Sequence, residues 1–290
     1  MEPKTSHLTV PGASLYYEVR GAGPVLLLIC GGIYDAIGYA PLADALADRY
    51  TVVTYDRRGN SRSTLEGPRE YQSIAVHADD AHRVLAAVGV SGDERAYVFG
   101  NSSGAIIGLE LAARHREQVH TLVAHEPPIF DLLPNRDYWR TVIQDVVEKF
   151  ATAGAGPAIE ALNAGFGAEP VEDGAPRPEP QSLDPELAAR VDAHLAQMEQ
   201  AIQQNLEFFI GYEVPPFAEF VPDLESLRSS AARVLAGVGE ASVGEPPYRA
   251  AVALAEKLGS QPVVFPGDHG GFAVQYDTFA AVLHQVLSST

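Results

Sequence analysis

Short apolar runs of strand length alternate with amphipathic runs of helix length along most of the chain. The runs that predict strands are HLTV and LYYEV near the N-terminus, then residues 25–30, 50–56, 96–100, 120–126, 233–238 and 262–267. The amphipathic runs that predict helices are residues 41–48, 74–89, 104–116, 246–258 and 274–288. The first two strands predict a hairpin around residues 11–14. Continuous apolar strands separated by helices are typical of a mostly parallel sheet covered by helices on both faces.

The alternation stops after the sixth predicted strand. Residues 129–228 carry long helical patterns at 136–152 and 184–209, joined by a Pro-, Gly- and Glu-rich segment at 167–185 that predicts a mobile loop. We therefore predict an α/β fold in two parts. The core comprises residues 1–128 and 229–290, and an α-helical cap, residues 129–228, is inserted after the sixth strand over the carboxyl ends of the strands.

Composition and charge narrow the range of partners to a small-molecule substrate. The 290 residues carry 20 basic and 38 acidic side chains, and the net charge of −18 argues against nucleic acid or an anionic membrane surface as the main partner. The single cysteine, Cys30, excludes an internal disulfide framework and a multi-cysteine metal site. With no signal-peptide pattern and no apolar run of membrane-spanning length, we expect a cytoplasmic protein, and the Ala- and Gly-rich composition favours a bacterial source. The oligomeric state stays open.

The segment GNSSG at residues 100–104 predicts a nucleophilic serine. It fits the pattern G-x-S-x-G with Ser102 at the centre, and it follows a predicted strand and opens a predicted helix, which is the setting this motif requires. Glycines on either side permit a sharp turn, and the helix directs its N-terminal N–H groups toward a developing anion. A tight turn or a helix N-cap would use similar residues. We expect the neighbouring Ser103 to offer its backbone N–H and not its hydroxyl.

A serine hydroxyl needs a base to take its proton near neutral pH, and His269 is the candidate base. Of the nine histidines, it is the one that lies late in the chain at the carboxyl end of a strand, in the glycine-rich loop PGDHGGF at residues 266–272. Most of the other histidines fall on helical or terminal segments, where a surface position is the simpler interpretation. Asp268 beside it is expected to shape the turn.

Three segments together make the chain resemble the α/β-hydrolase superfamily: GNSSG, DHGGF and YDRRGNSRS, the last at residues 55–63. The resemblance covers residues 8–128 and 229–290. It implies the fold predicted above and an enzyme, and neither a metal nor an organic cofactor is implied. By the same resemblance, the N–H groups of Gly32 and Ser103 form an oxyanion hole.

The chain departs from the family pattern at two positions near this site. Cys30 stands where the family usually has a histidine, and Ser61 replaces a usual glycine. We expect Cys30 to be a small buried residue and not a nucleophile, because the oxyanion hole uses backbone groups. The change at Ser61 is expected to be tolerated.

The acid that would orient His269 has three candidates in this sequence. Most relatives carry an aspartate after the strand that follows the insertion, but this chain has Ser242 there, with Glu240 and Glu245 as the nearest acids. A minority, including the haloalkane dehalogenases, places the acid after the preceding strand, where this chain has Glu126 followed by two prolines. The end of an apolar strand followed by prolines is an unusual place for a surface carboxylate that has no function. We predict Glu126 as the partner, with Glu240 and Glu245 as alternatives.

These residues predict a serine hydrolase that cleaves an ester or related acyl bond. A serine nucleophile disfavours dehalogenase and epoxide hydrolase chemistry. Peptidase, C–C hydrolase, lactonase, thioesterase and cofactor-free perhydrolase activities stay open, and so does a non-catalytic small-molecule binder of the same fold. Aromatic residues of the insertion either line an apolar pocket or form the insertion's own core: Tyr138, Trp139, Phe208, Phe209, Tyr212, Phe217 and Phe220.

Overall fold

A computed structural model describes residues 2–168 and 185–289 of the chain. In this part of the chain, nine strands form one sheet. They are β1 (Lys4–Val10), β2 (Ala13–Arg20), β3 (Val25–Ile29), β4 (Thr51–Tyr55), β5 (Thr64–Leu65), β6 (Ala96–Asn101), β7 (Val119–His125), β8 (Arg233–Gly239) and β9 (Val263–Phe265). The predicted mobile loop at residues 167–185 lies almost entirely outside the described residues.

The sheet is mostly parallel, as the alternating pattern predicts. Its order is β1-β2-β4-β3-β6-β7-β8-β9, with the short β5 paired to β2. The strands from β4 to β9 along this path run parallel, whereas β1 and β2 form the predicted antiparallel hairpin at one edge. The central strands are buried on both faces, which explains why their sequences are continuously apolar and not alternating.

Helices cover both faces of this sheet. The described helices are α1 (Ala40–Leu46), α2 (Ile74–Ala87), α3 (Ser103–Arg114), α4 (Arg136–Ala153), α5 (Ala155–Ala168), α6 (Pro185–Phe208), α7 (Val214–Ala218), α8 (Leu224–Ser229), α9 (Pro246–Leu258), α10 (Gly271–Val274) and α11 (Tyr276–Ser288). Apolar residues of α1 and α11 share one core cluster, and those of α2, α3 and α9 share the cluster on the opposite face. No helix in the described part of the chain is long and apolar enough to cross a membrane.

The described residues between β7 and β8, the segment that the sequence predicts as an insertion, are mostly helical. They include α4 to α8, a 3₁₀ turn at Phe130–Leu132 and a π-helical turn at Phe209–Glu213. Their own apolar cluster is built around Trp139, which stacks on Phe130 with ring centroids 4.2 Å apart. Helix α5 was not predicted, because three glycines and a proline interrupt its helical pattern. The short strand β5 was not predicted either, so the predicted insertion follows the seventh strand and not the sixth.

Helix α3 approaches the sheet closely at Gly104, the last glycine of the GNSSG segment. A Cβ atom at this position would meet the carbonyl oxygen of Ile29, a backbone atom of β3 that cannot move aside. At Gly108, one turn later, the neighbour is a side chain: a Cβ there would lie 2.8 Å from Cδ1 of Leu122. A side-chain methyl group can rotate away, but a strand carbonyl cannot.

We expect Gly104→Ala to lower the free energy of unfolding by about 3 kcal/mol, because the added methyl group forces α3 away from β3. Gly108→Ala is the matched control in the same helix. It should change stability by less than about 1 kcal/mol, because the helix-forming advantage of Ala offsets the adjustment of Leu122. Urea unfolding followed by circular dichroism measures both, and equal losses would contradict the assignment of the backbone contact.

Candidate active site

Ser102 lies at the turn between β6 and α3 in a strained backbone conformation. Its φ is 54° and its ψ is −126°, a region that non-glycine residues rarely adopt. The Ser102 N–H donates to the carbonyl oxygen of His125 at 2.9 Å, which ties the turn to the end of the neighbouring strand. A Cβ atom at Gly100 would meet the backbone of Gly104, so the turn closes tightly only with glycines at these two positions. This strand–turn–helix geometry is the one that the motif predicts.

The structure brings His269 and Glu126 together. Nδ1 of His269 lies 2.7 Å from Oε2 of Glu126, whose side chain is fully buried. The other carboxylate oxygen accepts from the Gly239 N–H at 2.8 Å, and the Glu126 N–H donates to the Gly237 carbonyl at 2.9 Å. Burial alone would raise the pKa of Glu126, but the hydrogen bond and charge of His269 lower it overall. The carboxylate is therefore held in its charged form against the ring.

The two alternative acids lie in other surroundings. Glu240 is exposed, and its Oε1 is 3.4 Å from the Gly267 N–H. Glu245 is half-buried at the start of α9 and lines the cavity described below. Among the described residues, the carboxylate that contacts the His269 ring is that of Glu126.

Asn101 and His125 form a buried contact network with the His269 loop, and no role was predicted for either residue. The Asn101 amide donates to the backbone carbonyl of His269 at 3.0 Å and lies 3.4 Å from Nδ1 of His125. Burial lowers the pKa of His125 to about 4, so its ring is neutral near pH 7. Each of them directly precedes a predicted site residue, Asn101 before Ser102 and His125 before Glu126. This adjacency is the signal in the sequence that could have suggested the contacts.

The loop from Cys30 to Gly32 packs directly against the Ser102 turn. A Cβ atom at Gly31 would lie 2.8 Å from Cβ of Ser102 and would also meet the carbonyl oxygen of Asn101. Gly32 has a φ of 55°, and its N–H donates to Oγ of Ser103 at 2.8 Å. Only the backbone N–H of Ser103 was predicted to take part in the site, so this contact of its hydroxyl was not expected.

Cys30 and Ser61 have the surroundings of structural residues. Cys30 is fully buried, its thiol donates to the Asp35 carbonyl at 3.0 Å, and burial raises its pKa well above the usual value. A protonated, buried thiol is a poor nucleophile. Ser61 has a φ of 46°, which explains the usual glycine, and its hydroxyl donates to Oδ2 of Asp35 at 2.9 Å. The serine therefore gains a contact that a glycine would not make.

A cavity of about 700 Å³ joins the candidate site to the insertion. Ser102, Ser103, Glu126 and His269 are among the residues that line it. Its apolar lining comes mainly from the insertion: Phe130, Ile143, Ile159, Leu162, Phe166, Phe209, Val214 and Phe217. Its lining includes the acids Glu245 and Asp268 but neither a lysine nor an arginine among the described residues. Of the aromatic residues considered above, Phe209 and Phe217 line the cavity, whereas Trp139 belongs to the insertion's core.

Within the described residues, one cluster of potential metal ligands lies away from this site, where α2 meets the end of α3. Ligand atoms of His82, His115 and Glu117 lie within 4.8 Å of one another. The two rings stack with centroids 4.0 Å apart and 12° between their planes, so their in-plane lone pairs do not converge on one ion. His82 Nδ1 lies 2.8 Å from Oε1 of Gln118, and His115 Nε2 lies 2.8 Å from Oδ1 of Asp79. We assign no metal role to this cluster, and a site without metal or cofactor stays a prediction.

Comparison with known proteins identifies the family. A family model described as the alpha/beta hydrolase fold matches residues 25–210, more than half of the chain. The chain belongs to the α/β-hydrolase family. Across 287 residues it is 37% identical to the uncharacterized hydrolase YraK of Bacillus subtilis (strain 168), a match that covers 97% of this chain and 94% of the relative. Membership of this family supports hydrolase activity.

Solved structures share the α/β-hydrolase fold over nearly the whole chain. A thermophilic esterase from Thermogutta terrifontis matches with a TM-score of 0.70 at 20% identity, covering 99% of this chain and 98% of that one. The enol-lactonase from Burkholderia xenovorans LB400 matches with a TM-score of 0.65 at 20% identity, covering 98% of this chain and 100% of that one. At this level of identity the likeness is one of fold.

Proposed function

We propose that the protein is a serine hydrolase that cleaves a carboxylic ester through an acyl-enzyme intermediate. The observation that carries this proposal is that Ser102 and a His269 ring bonded to Glu126 line the same cavity. A nucleophile, a base and a buried acid that orients the base are the three parts that acyl transfer by serine requires. The strained turn at Ser102 supports the same role, because such strain is concentrated at functional sites.

In this mechanism Glu126 determines which nitrogen of His269 acts as the base. Because Nδ1 is bonded to the carboxylate, Nε2 is the nitrogen that takes the proton from Ser102. The serine oxygen then bonds to the ester carbonyl carbon, and the imidazolium returns its proton to the departing alcohol. Water, deprotonated by the same nitrogen, releases the acid and regenerates the serine. Glu126 stabilises the imidazolium at each stage.

The N–H groups of Gly32 and Ser103 stabilise the developing oxyanion in this proposal. The Gly32 N–H donates to the Ser103 hydroxyl, so the substrate oxygen replaces that hydroxyl as the acceptor. A neutral carbonyl has no advantage over a hydroxyl in this exchange. An oxyanion does, because hydrogen bonds to charged acceptors are about twice as strong. The exchange therefore favours the transition state over the bound ester.

The helical segment at residues 129–228 acts as a cap over this site in the proposal. Apolar residues of the segment form much of the cavity lining, while the proposed nucleophile, base and acid come from the core. The apolar lining suits an uncharged acyl group, and the acids Glu245 and Asp268 disfavour a substrate with its own carboxylate. We infer that the substrate is a neutral ester. The enol-lactonase among the similar folds makes a cyclic ester the second candidate.

Reaction with a fluorophosphonate probe separates an enzyme from a binder of the same fold. We expect the wild-type protein to be labelled at Ser102, as located by peptide mass spectrometry. Ser102→Ala should abolish labelling and lower kcat by a factor on the order of 10⁴–10⁶, because the nucleophile is lost. Ser103→Ala should still be labelled at Ser102. A folded wild-type protein that the probe does not label would favour the non-catalytic binder.

Substitution of the candidate acids tests the role of Glu126. Glu126→Gln preserves the shape of the side chain but removes the charge that stabilises the imidazolium, so we expect kcat to fall by a factor on the order of 10²–10⁴. Glu240→Gln, in an exposed acid next to the same loops, should cost less than about tenfold. Steady-state hydrolysis of a p-nitrophenyl ester measures both variants. The reverse ranking would remove Glu126 from the mechanism.

Matched esters test the preference for an uncharged substrate. We expect p-nitrophenyl valerate to have a kcat/KM at least about tenfold above that of the p-nitrophenyl monoester of glutarate, whose terminal carboxylate meets the acids of the cavity. Glu245→Gln should narrow this ratio, because Glu245 lines the cavity. Glu240→Gln is the control and should leave the ratio unchanged. Faster hydrolysis of the glutarate ester would contradict the proposed substrate class.

A further inference from the structure

Glu213 carries a carboxylate from the insertion into the interior of the core. It ends the π-helical turn Phe209–Glu213, and its side chain is 1% exposed. Oε2 accepts from Nη2 of Arg57 at 2.9 Å, and Oε1 accepts from Nε of Arg57 at 3.3 Å and from the Asn60 amide at 3.1 Å. A buried carboxylate is strongly destabilising unless a cation compensates it. Arg57 is that cation.

His77, another neighbour of Glu213, does not supply a charge. Its Nε2 lies 3.5 Å from Oε1 of Glu213. Burial first, and then the nearby charges of Arg57 and Arg58, lower the pKa of His77 well below its usual value, so the ring is neutral. The negative charge of Glu213 is therefore compensated by Arg57 and not by His77.

Arg57 uses its other donors on the loop that holds the proposed oxyanion donor. Its Nη1 donates to the carbonyl oxygen of Cys30 at 2.6 Å, and its Nη2 donates to the carbonyl oxygen of Gly32 at 2.5 Å. These two carbonyls flank the peptide bond between Gly31 and Gly32, and the N–H of that bond is the proposed donor. The guanidinium thus holds the peptide units on both sides of the one that binds the oxyanion.

Such support matters in this loop because its two glycines restrict the backbone less than other residues would. Gly31 and Gly32 are adjacent glycines, and glycine has the widest choice of backbone conformations. The guanidinium fixes both carbonyls only while its plane is itself fixed, and a bidentate carboxylate fixes that plane. Phe209, the first residue of the π-helical turn, and Val214, the residue that follows the turn, line the cavity. The turn that shapes the cavity therefore also anchors the arginine.

We propose that Glu213 is a positioning residue for the oxyanion hole: through Arg57 it orients the Gly32 N–H toward the developing oxyanion. This inference rests on the proposed serine hydrolase function and adds to it a role for the insertion beyond contact with the substrate. It predicts an effect on transition-state binding that exceeds any effect on binding of the ester itself.

A neighbouring ion pair provides a matched control. Arg58, the next residue, pairs with the buried Asp80 through two hydrogen bonds of 2.7 Å. This pair resembles the Arg57–Glu213 pair in burial and in bidentate geometry, but the backbone carbonyl near Arg58 is that of Pro11, in the β1–β2 hairpin. Asp80→Asn and Glu213→Gln therefore each remove a buried carboxylate charge that is paired with an arginine. Only the arginine paired with Glu213 is bonded to the loop from Cys30 to Gly32.

The experiment compares kcat, KM and the inhibition constant of an alkyl boronic acid, which forms a tetrahedral adduct with Ser102, in these two variants and the wild type. For Glu213→Gln we expect kcat to fall by about 10- to 100-fold and the boronate to bind more weakly by a similar factor, with KM changed by less than about threefold. Asp80→Asn should lower the urea midpoint of unfolding and keep kcat and boronate affinity near wild type.

Equal losses of boronate affinity in the two variants would overturn the proposal, because they would indicate a general loss of packing. If Glu213→Gln does not fold, the double variant Arg57→Met with Glu213→Leu removes both charges together, and its kcat should still be low although the fold is restored. Wild-type kcat in that variant, or failure of both Glu213 variants to fold, would assign the pair to stability alone. A wild-type protein without hydrolysis or boronate binding would instead refute the proposed function.

Discussion

The parallel register of the central strands is the constraint on which the candidate site depends. Ile29 pairs with Gly100, Asn101 with His125, and His125 with Gly237, so the carboxyl ends of four strands lie side by side. The loop with Gly31 and Gly32 follows β3, Ser102 follows β6, and Glu126 follows β7. A shift of register in one strand would separate groups that must lie within hydrogen-bonding distance, and the site would be lost although every residue remained.

Strain at the site is matched by contacts that hold it. Ser61, Ser102 and Glu126 are the non-glycine residues with positive φ in the described part of the chain. Such conformations cost about 1–3 kcal/mol each and persist only where the surroundings enforce them. The Ser102 N–H bonds to the carbonyl of His125, the Glu126 N–H to that of Gly237, and the Ser61 N–H to Oδ1 of Asn205 at 2.7 Å. Each strained residue is thus fixed by a neighbouring element.

Local signals explain which features could be predicted from the sequence. Apolar runs predicted the parallel sheet, and the glycines around Ser102 predicted its turn, because both depend on neighbouring residues. The pairing of Glu126 with His269 was predicted from an apolar setting and from family resemblance. Their side chains lie 2.7 Å apart in the structure, and their catalytic role stays a prediction. The contact of Arg57 with Glu213 joins positions 156 residues apart, and nothing local in either segment indicates the other. The short strand β5 and the glycine-interrupted α5 were missed because tertiary packing overrides weak propensity there.

The buried carboxylate of Glu213 has a consequence for how this family member can evolve. Inserted segments are commonly regarded as exchangeable parts that adapt an unchanged scaffold to new substrates. Here the scaffold contains a cation, Arg57, whose counter-ion belongs to the inserted segment. A replacement segment would have to place a carboxylate beside Arg57 again, since an unpaired buried charge costs several kcal/mol. Helices α4 and α5 are free of that requirement, so divergence in specificity is expected to concentrate there, while the π-helical turn changes only together with the arginine.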